Sequence, residues 1–266
     1  MSEILLQAEG LCKRYKSKRG QHQALDDVSF TLGAGEILGV VGESGSGKTT
    51  LARVVLSLIR ADAGRLLWRG EDLLTMPAAR IRALRPQMQM VFQNPYASFN
   101  PRRRVGKALR QAGRFFGLDN AACEARIAEL LDACAIPAEL LDRYPQELSG
   151  GQLQRLAIVR ALLPRPSLLI ADEAVSSLDV AVAEPVLDIL KSLRDRYGIS
   201  VLFITHDLAV VAALCDRAIV MQQGKIVESG PVAELFSAPR HSYTKALLAA
   251  RPRLDAAFQA ERKESL

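Results

Sequence analysis

The segment GESGSGKT, Gly42 to Thr49, stands between an apolar run, Ile37 to Val41, and a stretch with apolar residues at Leu51, Val54, Val55, Leu58 and Ile59. The second spacing is the stripe of a helix packed on a sheet, and the short run before the glycines reads as a buried strand. Strand, glycine-rich turn and helix in direct succession are the context that the phosphate-binding pattern G-x-x-x-x-G-K-[ST] requires. Glycines let the chain curl so that successive N–H groups point inward, and the helix start adds about half a positive charge. Gly42, Glu43, Ser44, Gly45, Ser46, Gly47, Lys48, Thr49 and Thr50 are the candidate cradle for a nucleotide triphosphate. Lys48 suits a bridge between the β- and γ-phosphates, and the Thr49 hydroxyl suits Mg²⁺.

A second buried run, Leu168 to Ala171, delivers Asp172 and Glu173 at its carboxyl end, where open α/β sheets bind ligands. Asp172 fits the Mg²⁺ shell and Glu173 a general base that polarises the attacking water. Between these motifs, Leu148-Ser149-Gly150-Gly151-Gln152 immediately precedes a helical stretch. It reads either as a second anion site of small residues and free N–H groups at a helix start, or as a loop with an ordinary N-cap.

The chain divides into three blocks. Residues 4–95 hold short strand-like segments around Leu5 and Val28, a polar loop from Lys16 to Gln23, and the strand–loop–helix unit. Residues 96–165 lack strand runs and predict helices over Val105 to Phe116, Ala121 to Cys134 and Gln152 to Leu163. The last block returns to strands at Leu168 to Ala171 and Val201 to Ile204 around a helix from Val186 to Arg196, a β-α-β succession that implies parallel pairing. Ala218 to Met221 and Lys225 to Glu228 flank Gln-Gln-Gly, a hairpin signal.

LSGGQ lying between GESGSGKT and LLIADE resembles the ATP-binding cassette superfamily. Gln93 in MVFQNP resembles that family's Q-loop, Ser177-Leu178-Asp179 its D-loop, and His206 in FITHD its switch histidine, which contacts the γ-phosphate. Tyr15, 27 residues before Gly42, lies where the family stacks an aromatic on adenine. The resemblance implies an α/β fold: a P-loop NTPase core with a mixed, mainly parallel sheet, an N-terminal antiparallel β subdomain and an all-helical subdomain. It implies one ATPase domain over residues 4–250, with core 4–95 and 166–235, helical subdomain 96–165, and a C-terminal extension 236–266.

For function it implies an ATPase using ATP and Mg²⁺, with Glu173, His206 and Gln93 catalytic and Thr49, Gln93 and Asp172 around the metal. Ser149, Gly150, Gly151, Gln152 and Asp179 would complete the nucleotide site of a second, head-to-tail ATPase subunit. Two integral-membrane permease subunits and, indirectly, a periplasmic or extracellular substrate-binding protein are the further partners, with no nucleic acid. The place implied is the cytoplasmic face of a bacterial inner membrane, as a peripheral subunit.

QNPYASFNPRRRV and PRHSYTKALLAARP look like the oligopeptide, dipeptide and nickel importer branch, apart from Ser242, which stands where the branch has proline. LSGGQLQR and DEAVSSLD, with Ala174 where peptide importers carry proline, look more like the nickel and metal-chelate ATPases. Nickel or a metal–metallophore complex is the first expectation for cargo; dipeptides or oligopeptides are the alternative.

Composition narrows the rivals. A pI near 9.3 permits nucleic acid, but 35 basic residues against 29 acidic ones make a mixed surface. A DNA-repair ATPase would add long coiled coils or zinc modules, and neither persistent heptads nor a C-x-x-C pair occurs. Cys12, Cys123, Cys134 and Cys215 are too dispersed for a metal cluster, as are His22, His206 and His241, and no iron–sulfur cluster is expected. Arg102 to Arg104 reads as a solvated loop or as a docking patch.

Overall fold

The computed structural model describes residues 3–17, 20–176 and 180–250. In chain order, β1 (Ile4–Ser17), β2 (Gly20–Gly33) and β3 (Ile37–Val41) lead into α1 (Lys48–Val55), β4 (Ala63–Trp68) and β5 (Glu71–Asp72). Then come α2 (Ala78–Leu84), β6 (Met88–Val91), α3 (Val105–Phe115), α4 (Asn120–Ala133), α5 (Gly150–Leu162), β7 (Leu168–Asp172) and α6 (Val180–Tyr197). The chain continues through β8 (Ser200–Ile204), α7 (Leu208–Leu214), β9 (Arg217–Gln222), β10 (Lys225–Pro231), α8 (Val232–Ser237) and α9 (Ser242–Ala249). Two compact units result, one combining the residues up to Met76 with those from Leu202 onward, the other Pro77–Val201.

In the first unit an antiparallel sheet runs in the order β2-β1-β4-β5. Leu6 faces Leu32 on one side and Trp68 on the other, and Ala8 faces Phe30 and Leu66. Leu6, Leu11, Leu32 and Leu66 are fully buried, each stabilising the sheet by roughly 1.5–3 kcal/mol relative to exposure. The polar loop expected over Lys16 to Gln23 is largely strand: Tyr15 pairs with His22 and Lys16 with Gln21. Backbone pairing needs no apolar side chains, so polar composition misjudged this hairpin arm.

β3, buried at every position, pairs in parallel with β9, from Leu38 opposite Arg217 to Val41 opposite Val220. β9 and β10 form the expected antiparallel hairpin, and its Gln223-Gly224 turn takes positive φ at both residues, 48° and 82°, the conformation that matches strand twist.

The second unit holds the parallel pair β6–β7, with Met88 opposite Leu168 and Val91 opposite Ala171. Helices α3, α4 and α5 occupy the stretch expected to be helical and start within two residues of the predicted positions. Asp119 caps α4 by accepting the Ala122 N–H at 2.8 Å. Arg110 on α3 donates to Glu124 on α4, and the Tyr197 hydroxyl of α6 donates to Glu129 on α4 at 2.8 Å. The fold is α/β, with an antiparallel N-terminal sheet, mixed and mainly parallel strands, and helices. Among the described residues no helix is long and apolar enough to cross a membrane.

The thiols separate by burial. Cys123, Cys134 and Cys215 are buried and Cys12 is half-buried. Burial pushes the Cys134 thiol up to about 12 and raises Cys215 and Cys123 as well, and a thiol that stays protonated is a poor nucleophile. Ellman's reagent at pH 8 is therefore expected to label Cys12 alone at a measurable rate in the folded protein, and all four thiols after denaturation. Fast labelling of Cys134 or Cys215 in the folded chain would contradict this packing.

Candidate functional site

The phosphate-loop cluster lies in the first unit. β3 ends at Val41, and Gly42, Gly45 and Gly47 then take φ of 153°, 81° and 109°. Gly42 and Gly47 have no room for a side chain: a Cβ would stand 2.2 Å from the Met221 carbonyl oxygen and 2.4 Å from that of Ala24, respectively. Gly47 is the N-cap of α1, which begins at Lys48 directly after the glycines and ends at Val55, so that Leu58 and Ile59 of the expected stripe lie beyond the helix. The Lys48 side chain is buried, and its ammonium donates to the carbonyls of Gly42 at 2.6 Å and Glu43 at 2.8 Å. Ser46 is buried beneath the turn, while Glu43, Ser44, Gly45 and Thr49 face solvent and Thr50 is half-buried. The loop is braced from behind by the β9–β10 turn, whose Gly224 N–H donates to the Ser46 carbonyl at 3.0 Å.

Three other elements of this unit carry site residues. Tyr15 is exposed on β1, with the Lys13 ammonium 5.9 Å from its ring centre. His206, exposed, follows β8 between Thr205, whose N–H donates to the Val40 carbonyl at 3.1 Å, and Asp207, which caps α7. Tyr243, which the sequence reading did not single out, lies on α9. Its hydroxyl accepts the Glu43 N–H at 3.1 Å, 200 residues away in sequence.

The second unit gathers the carboxylates. Asp172 ends β7 buried, and Glu173 follows with φ of 50°, a left-handed conformation that costs a non-glycine residue roughly 1–2 kcal/mol. The Gln93 amide donates to the Glu173 carboxylate at 2.8 Å, bringing two predicted catalytic residues together. Ser176, missed in the sequence, donates its hydroxyl to the Glu173 carbonyl at 2.8 Å and lies 3.3 Å from its carboxylate. A serine three residues after the acid is the local signal that could have found it.

Ser149, Gly150, Gly151 and Gln152 open α5. The Ser149 hydroxyl accepts the Gln152 N–H at 3.2 Å, and the Gln152 side chain accepts the Ser149 N–H at 3.0 Å. This reciprocal capping box fixes the helix start and leaves the serine exposed. The N-cap, one of the two readings of this segment, is thus present. Ser177, Leu178 and Asp179 lie outside the described residues. Arg102, Arg103 and Arg104 are exposed, with Arg104 paired to Asp142 at 3.3 Å.

Residues 25–176 match the family described as ABC transporter. The chain belongs to that family. Residues 227–265 match a second family, the oligopeptide/dipeptide transporter C-terminal region. Among relatives of this ABC protein, the dipeptide transport ATP-binding protein DppF of Haemophilus influenzae is 42% identical over 266 residues, covering 97% of this chain and 81% of that one. The oligopeptide transport ATP-binding protein OppF of the same organism is 41% identical, covering 94% and 79%. The fold is similar to the dimeric post-hydrolysis structure of the ATP-binding cassette MJ0796 bound to ADP and phosphate, with TM-score 0.77, 25% identity, and 85% and 98% coverage. It is also similar to cbiO1 of Clostridium perfringens, part of the ABC transporter complex cbiONQ, with TM-score 0.81, 25% identity, and 97% and 100% coverage. The protein is an ABC ATPase of the oligopeptide and dipeptide importer type.

Proposed function

We propose that this ATPase drives uptake of dipeptides or oligopeptides. The match of residues 227–265 to the peptide-transporter C-terminal region carries the proposal, and the peptide-import names of DppF and OppF support it. Nickel, the first expectation from Ala174 and the LSGGQLQR stretch, gives way to the alternative. Residues beside Glu173 and at the head of α5 answer to nucleotide chemistry, and cargo never touches them, so they discriminate cargo poorly.

In this proposal the ATP phosphates bind the cradle Gly42 to Thr50, Tyr15 stacks on adenine, and His206 reaches the γ-phosphate. Glu173, aimed by Gln93 and Ser176, accepts the proton of the attacking water. The donors proposed for Mg²⁺, the Thr49 hydroxyl, the Gln93 amide and the Asp172 carboxylate, are all hard oxygen groups that suit it. Among the described residues there is no cluster of three or more His, Cys, Asp or Glu that could hold a metal ion. When bound, Mg²⁺ neutralises charge on the β- and γ-phosphates.

Ser149 to Gln152, with Asp179, would close over the nucleotide of a second ATPase subunit, so that two helix starts face one triphosphate. Two membrane permeases and, through them, a substrate-binding protein would complete an importer at the cytoplasmic face of the inner membrane. The domain division proposed is an ATPase domain over 4–250 with helical subdomain 96–165 and extension 236–266.

Transport decides the cargo. Proteoliposomes carrying the complete complex are expected to accumulate labelled dipeptide when ATP is supplied, and not radioactive nickel. Nickel uptake without dipeptide uptake would overturn the peptide assignment.

A further inference from the structure

The C-terminal segment reaches back to the phosphate loop through a connected series of hydrogen bonds. The Glu228 carboxylate on β10 accepts the N–H groups of Arg240 at 2.7 Å and His241 at 3.1 Å. His241 in turn caps α9, its Nδ1 accepting the Tyr243 N–H at 3.2 Å. Two residues into the segment so fixed, the half-buried Tyr243 presents its hydroxyl to the Glu43 N–H at 3.1 Å. Glu43 is the residue whose carbonyl, with that of Gly42, receives the Lys48 ammonium. One peptide of the phosphate loop is thereby held by Tyr243, while the next carbonyl along holds the lysine. Burial raises the Tyr243 phenol above its ordinary value, so the group stays a neutral hydroxyl, whose oxygen accepts the amide.

We infer that Tyr243 is a positioning residue for the nucleotide site, with Glu228 anchoring it, so that the C-terminal segment sets how well the phosphate loop is preorganised for ATP. The inference rests on the assignment of Gly42 to Thr50 as the nucleotide cradle and adds a control point 200 residues away from it in sequence. A preformed loop binds ground state and transition state alike, so its loss raises KM with little change in kcat. One neutral hydrogen bond corresponds to about a threefold to tenfold change in affinity.

The test uses the full chain, with fluorescent ATP-analogue titration, ATPase kinetics and thermal melting. Tyr243→Phe is expected to raise Kd and KM for ATP about threefold to tenfold, with kcat within about twofold and an unchanged Tm. Glu228→Ala should move KM in the same direction, and the double variant should be no worse than the more affected single one, because the two act through one contact. Unaltered KM in Tyr243→Phe overturns the inference. A parallel fall in Tm and kcat overturns it too, since that marks a merely structural tyrosine. Lys48→Ala distinguishes the underlying assignment: if it binds ATP as tightly as the wild type, the cradle itself is misplaced, whatever Tyr243 does.

Discussion

Glu173→Gln is expected to lower the rate of ATP hydrolysis by about 10²–10⁴-fold, the range that a positioned general base contributes, while ATP still binds. Three observations converge on this side chain. It follows β7 directly, so its main chain is anchored by a buried strand. It holds a left-handed φ of 50°, and strain of this kind persists only where surrounding contacts enforce it. Those contacts are visible: Gln93 donates to the carboxylate at 2.8 Å, and the Ser176 hydroxyl and N–H both bond to the Glu173 carbonyl.

Glutamine has the same shape and can still accept from Gln93 through its amide oxygen, so geometry and nucleotide affinity are retained. What it cannot do is take a proton. Phosphate release at saturating ATP, measured beside a binding titration, checks both halves. Turnover near the wild-type rate would remove Glu173 from the base role. A protein that neither binds nor turns over ATP would place Glu173 in binding instead.

The elements that carry strong period signals are legible in the sequence. Ile37–Val41 is the observed strand residue for residue, and Leu51, Val54 and Val55 of the expected stripe lie buried on the helix after the glycines, although Leu58 and Ile59 fall beyond its end. The capped start of α5 was legible for the same reason, since Ser149 and Gln152 form a local box three residues apart. Polar strands were not: the β1–β2 arm pairs Arg14 with Gln23 and Tyr15 with His22 without any apolar alternation to announce it.

Contacts between distant parts of the sequence were invisible in principle. Nothing local to Tyr243 indicates that its hydroxyl meets a backbone amide 200 residues earlier, and nothing near Gly47 names Ala24 as the group it must avoid. The comparisons favour peptides, the alternative cargo, over the first expectation for a related reason. The preference for nickel rested on Ala174 and LSGGQLQR, beside the nucleotide motifs, whereas the match that favours peptides covers residues 227–265.

The glycines of the phosphate loop offer a graded second test, because Gly45 and Gly47 share positive φ, 81° and 109°, but differ in surroundings. A Cβ at Gly45 meets nothing within 4 Å, so Gly45→Ala carries only the left-handed penalty of roughly 1–2 kcal/mol. Part of that is offset by the lower chain entropy of the unfolded alanine protein. A Cβ at Gly47 would overlap the Ala24 carbonyl at 2.4 Å. That oxygen belongs to β2, whose main chain is tied into the antiparallel sheet and cannot retreat cheaply. Overpacking of this kind adds about 1–3 kcal/mol, bringing the total for Gly47→Ala to about 2–5 kcal/mol.

The strain can be relieved only by moving the turn that starts α1, and with it Lys48, whose ammonium is fixed to two carbonyls of the same loop. Gly47→Ala is therefore expected to lose both stability and at least about a hundredfold in ATP affinity, since displacing the lysine forfeits a charge-assisted contact of about 1.5–3 kcal/mol together with the loop amides. Gly45→Ala should change affinity by less than about tenfold. Denaturant midpoints and ATP titrations on the two variants separate these outcomes. Equal behaviour would mean that φ alone, and not the close passage over β2, dictates glycine at the head of α1.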